Sequence, residues 1–129
     1  MPETQLFFYQ EEDGNAAALD WLIELRGRDE KAYVACLAKV RLLAAFGHEL
    51  RRPTADLLRE GIYELRARRG RVNYRILYFF HGRDVAVLAA GLTKEKKVPA
   101  AEIERAITRK KRYEQDPETH RATRSPEDL

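Results

Sequence analysis

Residues 61–80, GIYELRARRGRVNYRILYFF, place arginines at alternate positions of two runs separated by a turn. In the first run Ile62, Glu64, Arg66 and Arg68 alternate with Tyr63, Leu65 and Ala67. In the second, Arg71, Asn73, Arg75, Leu77 and Phe79 alternate with Val72, Tyr74, Ile76, Tyr78 and Phe80. A period of two is that of a β-strand, whose successive side chains point to opposite faces. Arg69-Gly70 is expected to supply the turn, because Gly adopts the positive φ of a tight hairpin. Pairing the runs then gathers Arg66, Arg68, Arg71 and Arg75 on one surface. Guanidinium groups held by a sheet, with few acids beside them, suit phosphate oxygens through forked N–H donors.

The elements that must carry this surface follow from the rest of the chain. Residues 5–10 form an aromatic strand candidate, with Phe7, Phe8 and Tyr9. A break at 11–15 leads into a helix over about 16–26, with Ala18, Trp21, Leu22 and Leu25 on one stripe and Gly27 as its stop. A second helix over about 29–46 repeats Tyr33, Leu37, Val40 and Ala44 at helical spacing. Residues 48–60 are harder to read: Pro53 precludes a continuous helix through their centre, while Leu57 and Leu58 can tuck under the sheet. Residues 85–92, VAVLAAGL, are apolar throughout, as in a strand buried on both faces, and the small Ala89, Ala90 and Gly91 allow a close approach. After a basic loop with Lys94, Lys96 and Lys97, Pro99 opens a helix over about 100–113 that buries Ile103, Ala106 and Ile107 and exposes Arg105, Arg109, Lys110 and Arg112. The order β-α-α-β-β-β-α predicts one α+β domain over 1–113, an antiparallel sheet with helices packed on it. Residues 114–129 have almost no apolar content and are expected to be a disordered tail.

Composition narrows the function classes. The 129 residues carry a net charge of only +3, but the charge is uneven. Arg59, Arg66, Arg68, Arg69, Arg71 and Arg75 face only Glu60 and Glu64 within their stretch. Such asymmetry favours a polyanion, nucleic acid first, although a solvated charged surface has the same composition. The single cysteine, Cys36, rules out an intrachain disulfide framework and reads as a small core side chain. The sequence shows no signal peptide and no apolar run of membrane-spanning length, so a cytoplasmic protein is expected. There is no Gly-rich phosphate loop, paired CxxC site or triad pattern. A metal-dependent nuclease built on Asp56, Glu60 or Glu64 is disfavoured, since arginines dominate this surface. No metal or other cofactor is expected.

Three segments in order, GIYELR (61–66), NYRILYFF (73–80) and the small apolar strand running into TKEKKVPAAEIERA (93–106), resemble the RelE superfamily of bacterial toxins, in particular its HigB-like, phage-derived branch. The resemblance covers roughly residues 5–113. It implies a compact α+β fold, cleavage of mRNA usually on the ribosome, and a cognate antitoxin that neutralises the enzyme. It implies that the chain is an endoribonuclease, an mRNA interferase of a type II toxin–antitoxin system.

Metal-free RNA cleavage sends the ribose 2′-hydroxyl against the adjacent phosphorus. It needs a proton acceptor, cationic donors for the phosphorane oxygens and an acid for the departing 5′-oxygen. The resemblance assigns Arg75 to the family's phosphate-stabilising arginine and sets Arg66 beside it on the neighbouring strand. It places catalytic or RNA-contacting residues in the loop, here Lys94, Lys96 and Lys97. It implies general RNA contacts for Arg68, Arg69 and Arg71, and a stacking or acid role for Tyr113. Where some relatives carry a lysine two residues before the strand arginine, this chain has Glu64, either as base or as a brace for Arg66 or Arg75. His48, His81 and His120 fall in no motif. A non-catalytic RNA- or ribosome-binding module of the same fold is the alternative; it has the same basic surface and no turnover.

Overall fold

The computed structural model describes residues 3–93 and 96–129. Its elements run β1 (Gln5–Phe8), α1 (Ala17–Arg28), α2 (Glu30–Phe46), β2 (Ala55–Arg59), β3 (Ile62–Arg69), β4 (Val72–His81), β5 (Val85–Thr93), α3 (Ala100–Gln115) and α4 (Pro117–His120). The strands form one sheet in the order β1-β5-β4-β3-β2. The architecture is α+β, as expected, with differences in detail.

The sheet is mixed rather than antiparallel. β1 pairs with β5 in parallel, Phe7 opposite Val87, while the other neighbours are antiparallel. The second difference is β2, which lies in the segment that Pro53 makes harder to read. It is five residues long and pairs Ala55 with Leu65 and Asp56 with Glu64, too short a run to show a period. Helices cover both faces, as a strand apolar throughout at 85–92 requires. Leu22 and Leu25 of α1, with Cys36, Val40 and Leu43 of α2, pack against Leu65, Tyr74, Ile76, Tyr78 and Leu88. On the opposite face Ala106, Ile107 and Tyr113 of α3 pack against Ile62, Leu77, Phe79, Val87 and Ala89. β5 therefore sits between two apolar layers, which accounts for its unbroken apolar sequence.

The two-helix segment is tighter than expected. α1 runs through Gly27 to Arg28, and a single residue, Asp29, separates it from α2. The Asp29 carboxylate accepts from the Ala32 N–H at 3.1 Å and caps α2. Small residues at the end of β5 do admit a close neighbour. A Cβ on Gly91 would lie 2.1 Å from the Trp21 ring, and the Trp21 Nε1–H donates to Thr93 Oγ1 at 3.0 Å.

Residues 114–129, expected to be a disordered tail, are built into the fold. α3 extends to Gln115, and Asp116 caps α4 through the Thr119 N–H. The chain then runs antiparallel to the end of β1: Gln10 N–H donates to the His120 carbonyl and Ala122 N–H to the Phe8 carbonyl, each at 2.9 Å. His120 is buried, stacked on Tyr9 with centroids 5.2 Å apart, and its Nδ1 lies 2.8 Å from the Gln10 carbonyl oxygen. Backbone hydrogen bonds to an open strand edge do not depend on side-chain polarity, so composition gave no sign of them.

Candidate functional site

The hairpin of β3 and β4 brings the basic residues together by register. Arg66 lies directly opposite Arg75, Arg68 opposite Asn73 and Glu64 opposite Leu77. Arg69 pairs with Val72, so the turn is Gly70-Arg71, one residue later than expected, with Gly70 at φ +61°. The alternation holds: Leu65, Tyr74 and Ile76 face α1 and α2, while Ile62 and Leu77 face α3. Glu64, Arg66 and Arg75 therefore emerge on the α3 face, before the N-terminus of that helix.

Glu64 organises the pair. Its side chain is 5% exposed, and its Oε1 accepts from Arg66 Nε at 3.0 Å and also from Arg75 Nη1. Arg75 is 11% exposed and donates through Nη2 to the Lys96 carbonyl, which ties the strand to the basic loop. Arg66 is more open, at 37%, and reaches Asp56 of β2 with Nη2 at 3.4 Å. Asp56 also receives Arg52 Nη2 at 3.0 Å. The hydrogen bond from Arg52, aided by the charges of Arg52 and Arg66, holds the Asp56 carboxyl below the usual carboxylate range. The result is a fixed lattice of guanidinium groups whose orientation is set by two acids from neighbouring strands.

Each expected site residue has a definite place. Arg66, Arg75, Glu64 and Lys96 are brought together, Lys96 through its backbone, with its side chain exposed. Lys97 is exposed in the same loop, and Lys94 lies outside the described residues. Arg68 and Arg71 are exposed at the hairpin tip, and Arg68 Nε donates to the Gly70 carbonyl at 2.9 Å. Arg69 departs from the group. It alternates to the opposite face, where its Nε lies 3.8 Å from Asp29 Oδ1.

Tyr113 corrects the expected RNA contact. It is fully buried on α3 against Phe79 and His81, and its hydroxyl accepts from Arg121 Nη2 at 2.9 Å. A ring enclosed on both sides offers no face to a base. Arg109, expected on the exposed side of α3, is instead inside: it donates to the Ala89 carbonyl at 2.7 Å and to Glu11 at 3.2 Å. Both shifts come from the tail and the 9–11 segment closing over the end of α3, a contact between distant parts of the chain.

The model of the family described as Phage derived protein Gp49-like (DUF891) matches residues 23–111, which span the second half of α1, all of α2, the β2–β3–β4 segment, β5 and most of α3. The chain belongs to the Gp49-like family. This is a toxin-like family related to the RelE- and HigB-type toxins, and membership is consistent with the toxin of a toxin–antitoxin system. A toxin-like family implies an antitoxin as partner. No curated protein matches the chain.

In this Gp49-like protein the sequence alone did not single out Arg52 as part of the lattice, and Asp56 was weighed only as a metal ligand. Their roles depend on β2 lying beside β3 with Asp56 opposite Glu64. Among the described residues no group of three or more His, Cys, Asp or Glu side chains is placed to hold a metal ion, and no helix is long and apolar enough to cross a membrane.

Proposed function

We propose that this Gp49-like protein is an mRNA interferase that cleaves message by attack of the ribose 2′-hydroxyl on the adjacent phosphorus, on messages engaged by the ribosome. The observation that carries the reading is the direct cross-strand opposition of Arg66 and Arg75, braced by buried Glu64 and joined to the Lys96–Lys97 loop. Rigid donors aimed at one point stabilise developing charge without reorganising during the reaction.

The 2′-oxygen forms its bond to phosphorus as the 5′-oxygen leaves, giving a 2′,3′-cyclic phosphate and a 5′-hydroxyl end. Arg75 and Arg66 hold the phosphorane oxygens. Glu64 has one oxygen engaged by two guanidinium groups, so in this reading it is a positioning residue. The lysines of the loop, whose main chain Arg75 grips, carry the proton transfers. Arg68, Arg71 and Lys97 hold neighbouring phosphates and set the salt dependence of binding.

The test is induction of the protein without an antitoxin, in cells whose messages are mapped by primer extension. The unsubstituted chain is expected to arrest growth and leave new 5′ ends within translated messages. Arg75→Ala, and Arg75→Lys, which keeps the charge but loses the fork, are expected to abolish both. A folded Arg75→Ala protein that remains fully toxic contradicts the assignment. Growth arrest without new 5′ ends supports the non-catalytic binding module instead.

A further inference from the structure

The apolar face of the sheet continues past the helices that cover it. α2 ends at Phe46, whereas Tyr63 and Phe80 carry the same face beyond Leu65 and Ile76. Their rings meet edge to face with centroids 5.3 Å apart, and the His48 ring, just after α2, stacks on Phe80. Leu57 lies directly opposite Tyr63, and residues so paired share a face. Expected to tuck under the sheet, Leu57 is instead 52% exposed. A cleft of about 450 Å³ opens here, on β2 at the edge of the sheet. Leu50, Leu57 and Tyr63 give it an apolar wall, and Arg51, Arg52 and Asp56 supply its charges.

Those charges do not balance. Asp56 already receives Arg52 at 3.0 Å and Arg66 at 3.4 Å. Arg51 donates through Nη1 to the His48 carbonyl at 2.8 Å and has no carboxylate partner among the described residues. The cleft therefore sets an unmatched guanidinium beside leucine and tyrosine. Leucine side chains gain little from ribose or phosphate, so the wall does not suit an extension of the RNA site. Exposed apolar surface with a polar rim marks protein contacts, and Tyr and Arg are enriched in them.

We propose that this cleft is the docking surface for the antitoxin, and that it takes an acidic, amphipathic segment of that protein. A leucine or phenylalanine of the segment packs on Leu57 and Tyr63, while a carboxylate pairs with Arg51. Apolar burial supplies the affinity, and the charge fixes the register. The inference rests on the toxin reading, which supplies the partner. Neither Arg66 nor Arg75 lines the cleft, but Asp56 joins it to Arg66 by one ion pair. The docked segment therefore sits beside the arginine site without gripping its guanidinium groups.

The experiment uses the full chain and, as probe, the product of a neighbouring reading frame that restores growth on co-expression. Leu57→Asp and Arg51→Glu are each expected to weaken its binding at least about tenfold. Both variants should arrest growth as the unsubstituted chain does, and should go on doing so when the probe is co-expressed. Val34→Asp, at an exposed apolar position of α2, and Arg75→Ala are expected to bind the probe unchanged. Thermal melts confirm that each variant is folded. If Leu57→Asp and Arg51→Glu bind and are neutralised normally, the docking surface is overturned and the toxin reading stands. Loss of binding confined to Arg75→Ala overturns it too, by placing the antitoxin on the arginine site. So does a Leu57→Asp chain that changes from self-associated to monomeric with its affinity for the probe intact, since the cleft then joins two copies. If no neighbouring product binds the unsubstituted chain or restores growth, the docking surface and the toxin–antitoxin reading fall together.

Discussion

Glu64 shows how one residue sets the properties of several. Its carboxylate is almost completely buried and serves two guanidinium groups, one of them nearly as buried as itself. Removing one partner of a buried pair leaves the other charge desolvated, which costs about 3–5 kcal/mol for full burial. Arg66 is partly exposed, and solvent relieves part of that penalty. Glu64→Gln is therefore expected to lose about 2–4 kcal/mol in urea unfolding. A double-mutant cycle with Arg75→Met should show a coupling of roughly 1–3 kcal/mol. Additive losses would show that Glu64 does not brace Arg75. At the same scale, the alternation of 61–80 told which residues share a face, whereas Asp56 and Arg52 became visible only through the β2–β3 register.

At the scale of elements, the end of β5 and the face of α1 depend on each other. Gly91 is there because the Trp21 ring occupies the space of a side chain, and the Trp21 indole holds Thr93, the last residue of β5, where the basic loop begins. Gly91→Ala must push the ring away, at a cost of about 1–3 kcal/mol of stability. Trp21 is the one tryptophan of the chain, so its fluorescence should shift in the folded variant. Unchanged fluorescence and stability would show that the ring is not so tightly held. The run of small residues announced a close approach but not its source, since the partner is about seventy residues away in sequence and reaches β5 only when α1 docks.

For the whole molecule, enclosure between two helical layers governs the response to alkali. Burial pushes the Cys36 thiol up to about 12 from an ordinary 9.0, and burial together with the hydrogen bond and charge of Glu11 pushes Tyr9 up to about 12 from 10.0. Both groups bind their proton more tightly in the folded chain. Their contribution is fully present below about pH 9 and is lost as pH rises towards 12. The unfolding midpoint should fall over that window, and more gently in Cys36→Ala, whose overall loss of packing is separated by comparing slopes. Alkylation of Cys36 at neutral pH should be slow until the chain unfolds; rapid labelling of the native protein would show that the thiol is not enclosed.

The sequence by itself determined the strand and helix types, the hairpin with its arginine-bearing face, and β5 as a strand covered on both sides. These follow from periods of two and 3.6 and from unbroken apolar runs, which are local. Only the tertiary structure decided the parallel placement of β1, the existence of β2, the ordered tail and the exclusion of Tyr113 from the basic surface. Those depend on which distant backbone groups find each other as hydrogen-bond partners and on which faces remain to be covered, and neither is encoded within any single stretch of chain.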